Sequence, residues 1–104
     1  MNMVLLFLPC ANDAEAEKIS QTLLEKHLIV CAKKTPVSSA FFWKGKIDKS
    51  GETLLVMESV EENYEEIERE VSNLHSYETF ALTAIPVIKY SKGVEDWFKE
   101  GLKK

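Results

Sequence analysis

The sequence has few of the residues that build covalent frameworks, tight turns or metal clusters. Its 104 residues include two cysteines, two histidines, three prolines and four glycines. Two well-separated thiols, Cys10 and Cys31, provide no disulfide framework, which favours a reducing compartment and a cytoplasmic location. The glycines form neither a GxGxxG nor a GxxxxGK[ST] spacing, and CxxC, HExxH and GxSxG motifs are missing. We therefore expect no phosphate-binding loop, no structural zinc and no enzymatic activity.

Strong positive charge and long hydrophobic runs are also missing. The net charge is −4, and no Lys/Arg cluster exceeds two adjacent residues, so we expect no nucleic-acid partner. The apolar run at residues 3–8 is short and has no preceding Lys or Arg, so it predicts a strand and no membrane partner. A content of 45% hydrophobic and 29% charged residues is typical of a globular protein, and the length predicts one domain over residues 1–104.

Hydrophobic periodicity predicts a mixed order of strands and helices, followed by a C-terminal helix. Lysines, a threonine and a proline at 33–36 are expected to interrupt the second strand region, and residues 50–51 are expected to form a turn. The order is strand, helix, strand, strand, helix, strand. This order predicts an α+β fold, the ferredoxin-like split βαβ sandwich (βαββαβ plus a C-terminal helix). The predicted strands cover residues 3–8, 29–32 with 37–43, 53–60 and 80–88, and the helices cover 12–28, 61–74 and 94–102.

Several predicted strands are apolar on both faces. Leu54 and Val56 point to one side of the third strand, whereas Leu55 and Met57 point to the other. Both main helices of a split βαβ fold lie on one face of the sheet, so the second apolar face needs another cover. The pattern therefore predicts self-association.

Few side chains are candidates for chemistry. His75 ends the acidic second helix, where an imidazole can interact with free carbonyls or act as a ligand for copper or zinc. Glu78 lies in the same polar loop. Cys10 follows Pro9 at a strand end and is expected to be the more accessible thiol, whereas Cys31 is expected to be a buried small hydrophobe.

Five segments together resemble the CutA divalent-cation tolerance family over residues 3–102. The resemblance implies small cytoplasmic ferredoxin-like proteins that form tight homotrimers similar to those of the PII signalling proteins. It also implies a response to metal ions, copper tolerance, weak binding of copper or another divalent cation, no required cofactor and no enzymatic activity. The segments are AEKISQTLLEKHLIVCA, FFWKGKI, LLVMES, the tetrad His75-Ser76-Tyr77-Glu78 and the pair Trp97-Phe98.

The metal ligands that we expect are His75, Glu78 and Cys10. The chain departs from the family pattern close to them, because Ser76 stands where a proline is usual. Phe80 and Ala81 likewise replace a later Pro-Glu pair, which removes one carboxylate.

Two alternatives to metal tolerance remain open. The first is a PII-like small-molecule sensor whose inter-subunit pocket is walled by Trp43 and Tyr77, with Lys46 as the anchor for an anion. The second is a structural trimeric platform for a partner protein. Stabilisation by nucleotides or carboxylates, or recovery of a partner, would distinguish these alternatives.

Overall fold

A computed structural model of the chain describes residues 1–103 and confirms the predicted order of the main elements. Helix α1 (Asp13–Glu25) begins after Asn12, whose side chain accepts a hydrogen bond from the Glu15 backbone N–H at 2.8 Å. A single 3₁₀ turn leads from the third strand into helix α2 (Tyr64–Leu74). The elements are β1 (Met3–Cys10), α1 (Asp13–Glu25), β2 (Cys31–Trp43), β3 (Lys46–Val60), the 3₁₀ turn (Glu61–Asn63), α2 (Tyr64–Leu74), β4 (Thr83–Pro86) and α3 (Val94–Gly101).

The four strands form one antiparallel sheet in the order β2-β3-β1-β4. Strands β1 and β2 flank β3, so each βαβ unit is split by a strand from the other half of the chain. This is the ferredoxin-like arrangement that the sequence predicts, with β2 and β4 at the edges.

The hydrophobic core lies between the two main helices and one face of the sheet. Leu6 and Leu8 of β1 pair with Met57 and Leu55 of β3, and all four side chains are completely buried. Fully burying a leucine or methionine side chain stabilises the fold by about 1.5–3 kcal/mol. The helices add further buried side chains to this core: Ala16, Ile19, Leu23, Ile67 and Val71.

The opposite face of the sheet is apolar and only partly covered. Leu5, Phe7, Leu54 and Val56 alternate with the core residues and are half-buried. The structure thus confirms the prediction of strands with two apolar faces.

The predicted interruption at residues 33–36 is wrong, because β2 runs without a break from Cys31 to Trp43. Pro36 pairs with Thr53, and proline is tolerated there because β2 is an edge strand. The predicted turn at 50–51 is also wrong, since Ser50 and Gly51 belong to the ladder between β2 and β3. Strand β4 is shorter than the predicted 80–88.

The hairpin of β2 and β3 is longer than the rest of the sheet. The ladder between β1 and β3 ends where Cys10 pairs with Thr53. Residues 37–43 and 46–52 therefore continue as a two-stranded extension, which we call the arm. The turn at its tip uses Lys44 and Gly45, whose φ angles of 51° and 78° fit a two-residue type I′ hairpin.

Helix α3 packs back against the connection between α1 and β2, at His27 and Val30. Phe98 is buried, and the Nδ1 atom of His27 lies 3.1 Å from the carbonyl oxygen of Gly101. A side chain at Gly101 would meet Val30 at 2.7 Å, so this position requires glycine or a shift of Val30. Among residues 1–103, no helix combines the length and apolar character that crossing a membrane requires.

Candidate functional site

The imidazole of His75 is held in place at the C-terminal end of α2. Its side chain is completely buried, and its Nε2 atom lies 2.9 Å from the carbonyl oxygen of Pro9. The backbone N–H of Tyr77 donates to Nδ1 at 3.1 Å. Because Nδ1 accepts a hydrogen bond and Nε2 faces an acceptor, these partners assign the neutral tautomer with its proton on Nε2.

Glu15, in the first turn of α1, connects this helix with the loop after α2. Its carboxylate accepts hydrogen bonds from the backbone N–H groups of Ala11 at 2.7 Å and Ser76 at 2.6 Å. It also lies 3.7 Å from Nδ1 of His75. Desolvation acts to raise the pKa of Glu15, but the hydrogen bonds from Ala11 and Ser76 outweigh it, so the pKa is lower than usual.

Cys10, the last residue of β1, is buried next to these two side chains. Its thiol lies 3.7 Å from the carbonyl oxygen of Leu8. Desolvation, followed by the charges of Glu15 and Glu52, raises the pKa of the thiol to about 12. The expectation that Cys10 is the more accessible cysteine is therefore wrong, and Cys31, expected to be buried, is partly exposed.

Together, Cys10, Glu15 and His75 place one sulfur, one oxygen and one nitrogen atom within 4.8 Å of one another. A thiolate, a carboxylate and an imidazole suit soft or borderline ions such as copper and zinc. The donor types fit a metal, but both ring nitrogens are already hydrogen-bonded and the thiol carries its proton. Coordination would have to displace these hydrogen bonds and that proton.

The structure brings His75 and Cys10 together but leaves Glu78 exposed and outside this group of three. The carboxylate within the group comes from Glu15. Glu15 was not among the ligands that the sequence predicted. Its partner Ser76 is 61 residues further along the chain, so no local spacing could indicate the contact.

A cavity of about 780 Å³ lies between the arm and the loop after α2. The side chains of Trp43 and Tyr77 line it, as the sensor alternative requires. Within residues 1–103 its lining does not include Lys46, the expected anion anchor. The Tyr77 hydroxyl donates to a carboxylate oxygen of Glu52 at 2.6 Å, and burial together with this bond raises the pKa of Tyr77.

Comparison with known proteins identifies related sequences over nearly the whole chain. The sequence pattern of the CutA1 divalent ion tolerance protein family matches residues 4–101. The divalent-cation tolerance protein CutA of Archaeoglobus fulgidus is 38% identical over 86 residues, which cover 83% of this chain and 84% of the relative. The protein of the same name from Thermotoga maritima is 31% identical over 100 residues, covering 96% of this chain and 99% of the relative.

Solved structures agree with this relationship. The structure of the periplasmic divalent cation tolerance protein CutA from Archaeoglobus fulgidus is similar to this chain with a TM-score of 0.94 at 33% sequence identity. The match covers 97% of this chain and 99% of the archaeal chain. CutA1 from Oryza sativa has the same TM-score at 18% identity, and the match covers 100% of this chain and 96% of the Oryza sativa chain. At this identity the likeness shows the shared fold alone. The match over residues 4–101 and the identity to the archaeal relative show that the chain belongs to the CutA1 divalent ion tolerance protein family.

Proposed function

We propose that this chain is a non-enzymatic, cytoplasmic homotrimer that acts in the response to divalent metal ions and binds copper or another divalent cation weakly. Membership of a family named for divalent-ion tolerance supports the general role. The observation that carries the binding proposal is the grouping of Cys10, Glu15 and His75, whose ligand atoms lie within 4.8 Å of one another.

Weak and pH-dependent binding follows from the geometry of this group. A metal ion would replace the Tyr77 N–H as the partner of His75 Nδ1 and would need Cys10 as a thiolate. Each change costs free energy that coordination must offset. Because protons leave as the metal binds, the affinity rises with pH.

The arm supports the trimer. Phe42 is 77% exposed and Ile47 is 67% exposed, although both lie on strands of a regular ladder. They share one face of the arm, and Phe41 and Trp43 are exposed on the other. A two-stranded hairpin alone is marginally stable in water, so apolar side chains on both its faces favour packing against further copies of the chain.

The cytoplasmic location rests on the cysteines. Cys10 and Cys31 are both free thiols, which a reducing compartment preserves. The Archaeoglobus fulgidus relative is described as periplasmic, so cell fractionation of the native protein is the direct test. Recovery in the periplasmic fraction would contradict the location without affecting the metal proposal.

Copper titration by calorimetry tests the metal site. The chain offers matched controls, because it has one further histidine and one further cysteine outside the group, His27 and Cys31. We expect His75→Ala and Cys10→Ser to lower the copper affinity, whereas His27→Ala and Cys31→Ser leave it unchanged. Equal copper affinities for His75→Ala and His27→Ala would show that the His75 imidazole is not a ligand.

A further inference from the structure

The group of Cys10, Glu15 and His75, which we call the three-donor group, has little contact with solvent. Cys10 and the His75 side chain are completely buried, and the Glu15 side chain is 10% exposed. Among residues 1–103, no fourth cysteine, histidine, aspartate or glutamate side chain belongs to the group. An ion that enters it must therefore exchange its hydration shell for three side-chain donors at most.

One of the three donors already holds the structure together. The backbone N–H of Ala11 donates to one carboxylate oxygen of Glu15 at 2.7 Å, and that of Ser76 donates to the other at 2.6 Å. An ion that draws Glu15 into coordination competes with both hydrogen bonds. The remaining donors are the sulfur atom of Cys10 and the unprotonated Nδ1 atom of His75.

Divalent ions need more ligands than this group offers. A structural zinc ion binds four protein ligands, copper(II) takes a tetragonal set, and magnesium and calcium take at least six oxygen atoms. A singly charged ion with a filled d shell, such as copper(I) or silver(I), is soft, binds thiolate sulfur and is satisfied by two or three ligands.

The separation of the donors suits one ion bound between sulfur and nitrogen. Metal bonds to thiolate sulfur and imidazole nitrogen are about 2.0–2.3 Å long. The ligand atoms of the group lie within 4.8 Å of one another. An ion placed between the Cys10 sulfur and the His75 nitrogen therefore reaches both atoms after a small approach of the two side chains.

The charge of the group also favours a singly charged ion. The Cys10 thiol and the His75 imidazole are neutral, and Glu15 is a carboxylate. When a singly charged ion replaces the thiol proton, which leaves to solvent, the total charge of the group is unchanged. A doubly charged ion has a far more strongly bound hydration shell, because the hydration energy of an ion grows with the square of its charge. A buried group with three donors therefore disfavours divalent ions.

We propose that the three-donor group selects a singly charged soft ion, copper(I) or silver(I), over divalent ions, with the Cys10 sulfur and the His75 Nδ1 atom as ligands. Glu15 keeps its backbone hydrogen bonds and acts as a positioning residue for the segment in which His75 lies. This proposal rests on the proposed function, since it assigns the class of ion to the same site. It also accounts for weak binding of divalent ions, which lack ligands there.

Calorimetry with two ions of different charge tests the preference. Silver(I) and zinc(II) both have a filled d shell, and silver(I) needs none of the reducing agent that copper(I) requires. The measurements use the full chain with Cys31→Ser in chloride-free buffer, because Cys10 is then the single thiol. We expect one silver(I) ion per chain, bound at least about 100-fold more tightly than zinc(II).

The outcomes separate this proposal from the proposed function. Zinc(II) binding as tightly as silver(I) would overturn the preference for a singly charged ion and leave the binding of divalent ions intact. Absence of binding by either ion would contradict both proposals.

A thiol alone also binds silver(I), so the imidazole has to be tested separately. In the Cys31→Ser background, Cys10→Ser should abolish silver(I) binding and His75→Ala should weaken it at least about ten-fold. His27→Ala, a histidine outside the group, is the matched control and should have no effect. Circular dichroism verifies that the variants fold. Equal silver(I) affinities for the two histidine variants would refute the two-ligand site.

Amide hydrogen exchange shows whether Glu15 takes part, without a substitution at any ligand. On silver(I) binding, the Tyr77 N–H should lose protection, because it no longer donates to His75 Nδ1. The Ala11 and Ser76 N–H groups should keep their exchange rates within about three-fold, because Glu15 still accepts from them. Loss of protection at Ser76 would place Glu15 among the ligands and contradict the proposal.

Discussion

The Glu15 carboxylate accepts a hydrogen bond from the backbone N–H of Ser76 at 2.6 Å, across 61 residues of sequence. The same side chain accepts from the Ala11 N–H at 2.7 Å and is largely buried. One carboxylate thus joins the end of β1, the start of α1 and the loop after α2. These contacts hold the segment in which His75 lies.

Glu15→Gln should destabilise the protein by about 1–3 kcal/mol, since hydrogen bonds to a charged, buried acceptor are stronger than neutral ones. Glu25→Gln, on an exposed position of the same helix, should change the free energy of unfolding by less than about 0.5 kcal/mol. Urea unfolding of both variants measures the difference. Equal effects would show that the contacts of Glu15 contribute nothing specific.

The contribution of Glu15 should depend on pH in a defined direction. Its pKa is lower in the folded chain than normal, so the folded state favours the carboxylate. The stabilisation is therefore fully present above the pKa of an unfolded glutamate, about 4.3, and is lost as the pH falls through the folded pKa. The stability difference between the wild type and Glu15→Gln should shrink on acidification, and a constant difference from pH 7 to pH 3 would contradict this reasoning.

Tyr77 and Tyr90 form a matched pair of hydroxyl groups. Tyr77 donates to Glu52 at 2.6 Å in a partly buried position, whereas Tyr90 donates to Glu95 at 3.4 Å at the surface. Tyr77→Phe should lower the free energy of unfolding by about 1 kcal/mol, and Tyr90→Phe should have little effect. Thermal and urea unfolding measure the stability that each variant loses. A larger loss for Tyr90→Phe than for Tyr77→Phe would contradict the prediction that the Tyr77–Glu52 hydrogen bond is the stronger one.

The two cysteines should differ in their rates of alkylation. Cys10 is buried and its pKa is raised to about 12, so almost no thiolate exists at pH 8. Cys31 is partly exposed. Iodoacetamide followed by mass spectrometry should therefore modify Cys31 first and Cys10 only after denaturation. Faster modification of native Cys10 would contradict the burial of its thiol.

The arm should control the oligomeric state. We expect the wild type to sediment with the mass of three 11.9 kDa chains at low micromolar concentration. Phe42→Asp should favour the monomer without unfolding the chain, because Phe42 has few contacts within its own chain, whereas Leu24→Gln on α1 should leave the assembly intact. A wild-type species with the mass of a single chain would remove the structural basis of the proposed trimer.

Much of the fold could be predicted from local patterns. The alternation of Leu54, Leu55, Val56 and Met57 indicated a strand with two apolar faces, and the structure buries Leu55 and Met57 while leaving Leu54 and Val56 half-covered. Periodicity also predicted a first helix over 12–28, and α1 begins directly after Asn12. Such features were predictable because each depends on neighbours within a few residues.

Where the prediction was wrong, pairing between strands outweighed local preference. Pro36 and Gly51 are poor strand residues, yet each lies in the long ladder of β2 and β3. An edge strand leaves one set of backbone groups unpaired, so a missing N–H at Pro36 costs little. Local composition contains no information on which strand becomes an edge.

By itself, the sequence determined the order of the elements, the two apolar faces of the strands and the absence of familiar catalytic motifs, because periodicity and spacing encode these directly. The tertiary structure alone decided which side chains meet. It placed Glu15, rather than the expected Glu78, beside Cys10 and His75, and it brought the loop after α2 next to the arm. These contacts join residues far apart in the chain, and only the packing of helices on the sheet brings such residues within bonding distance.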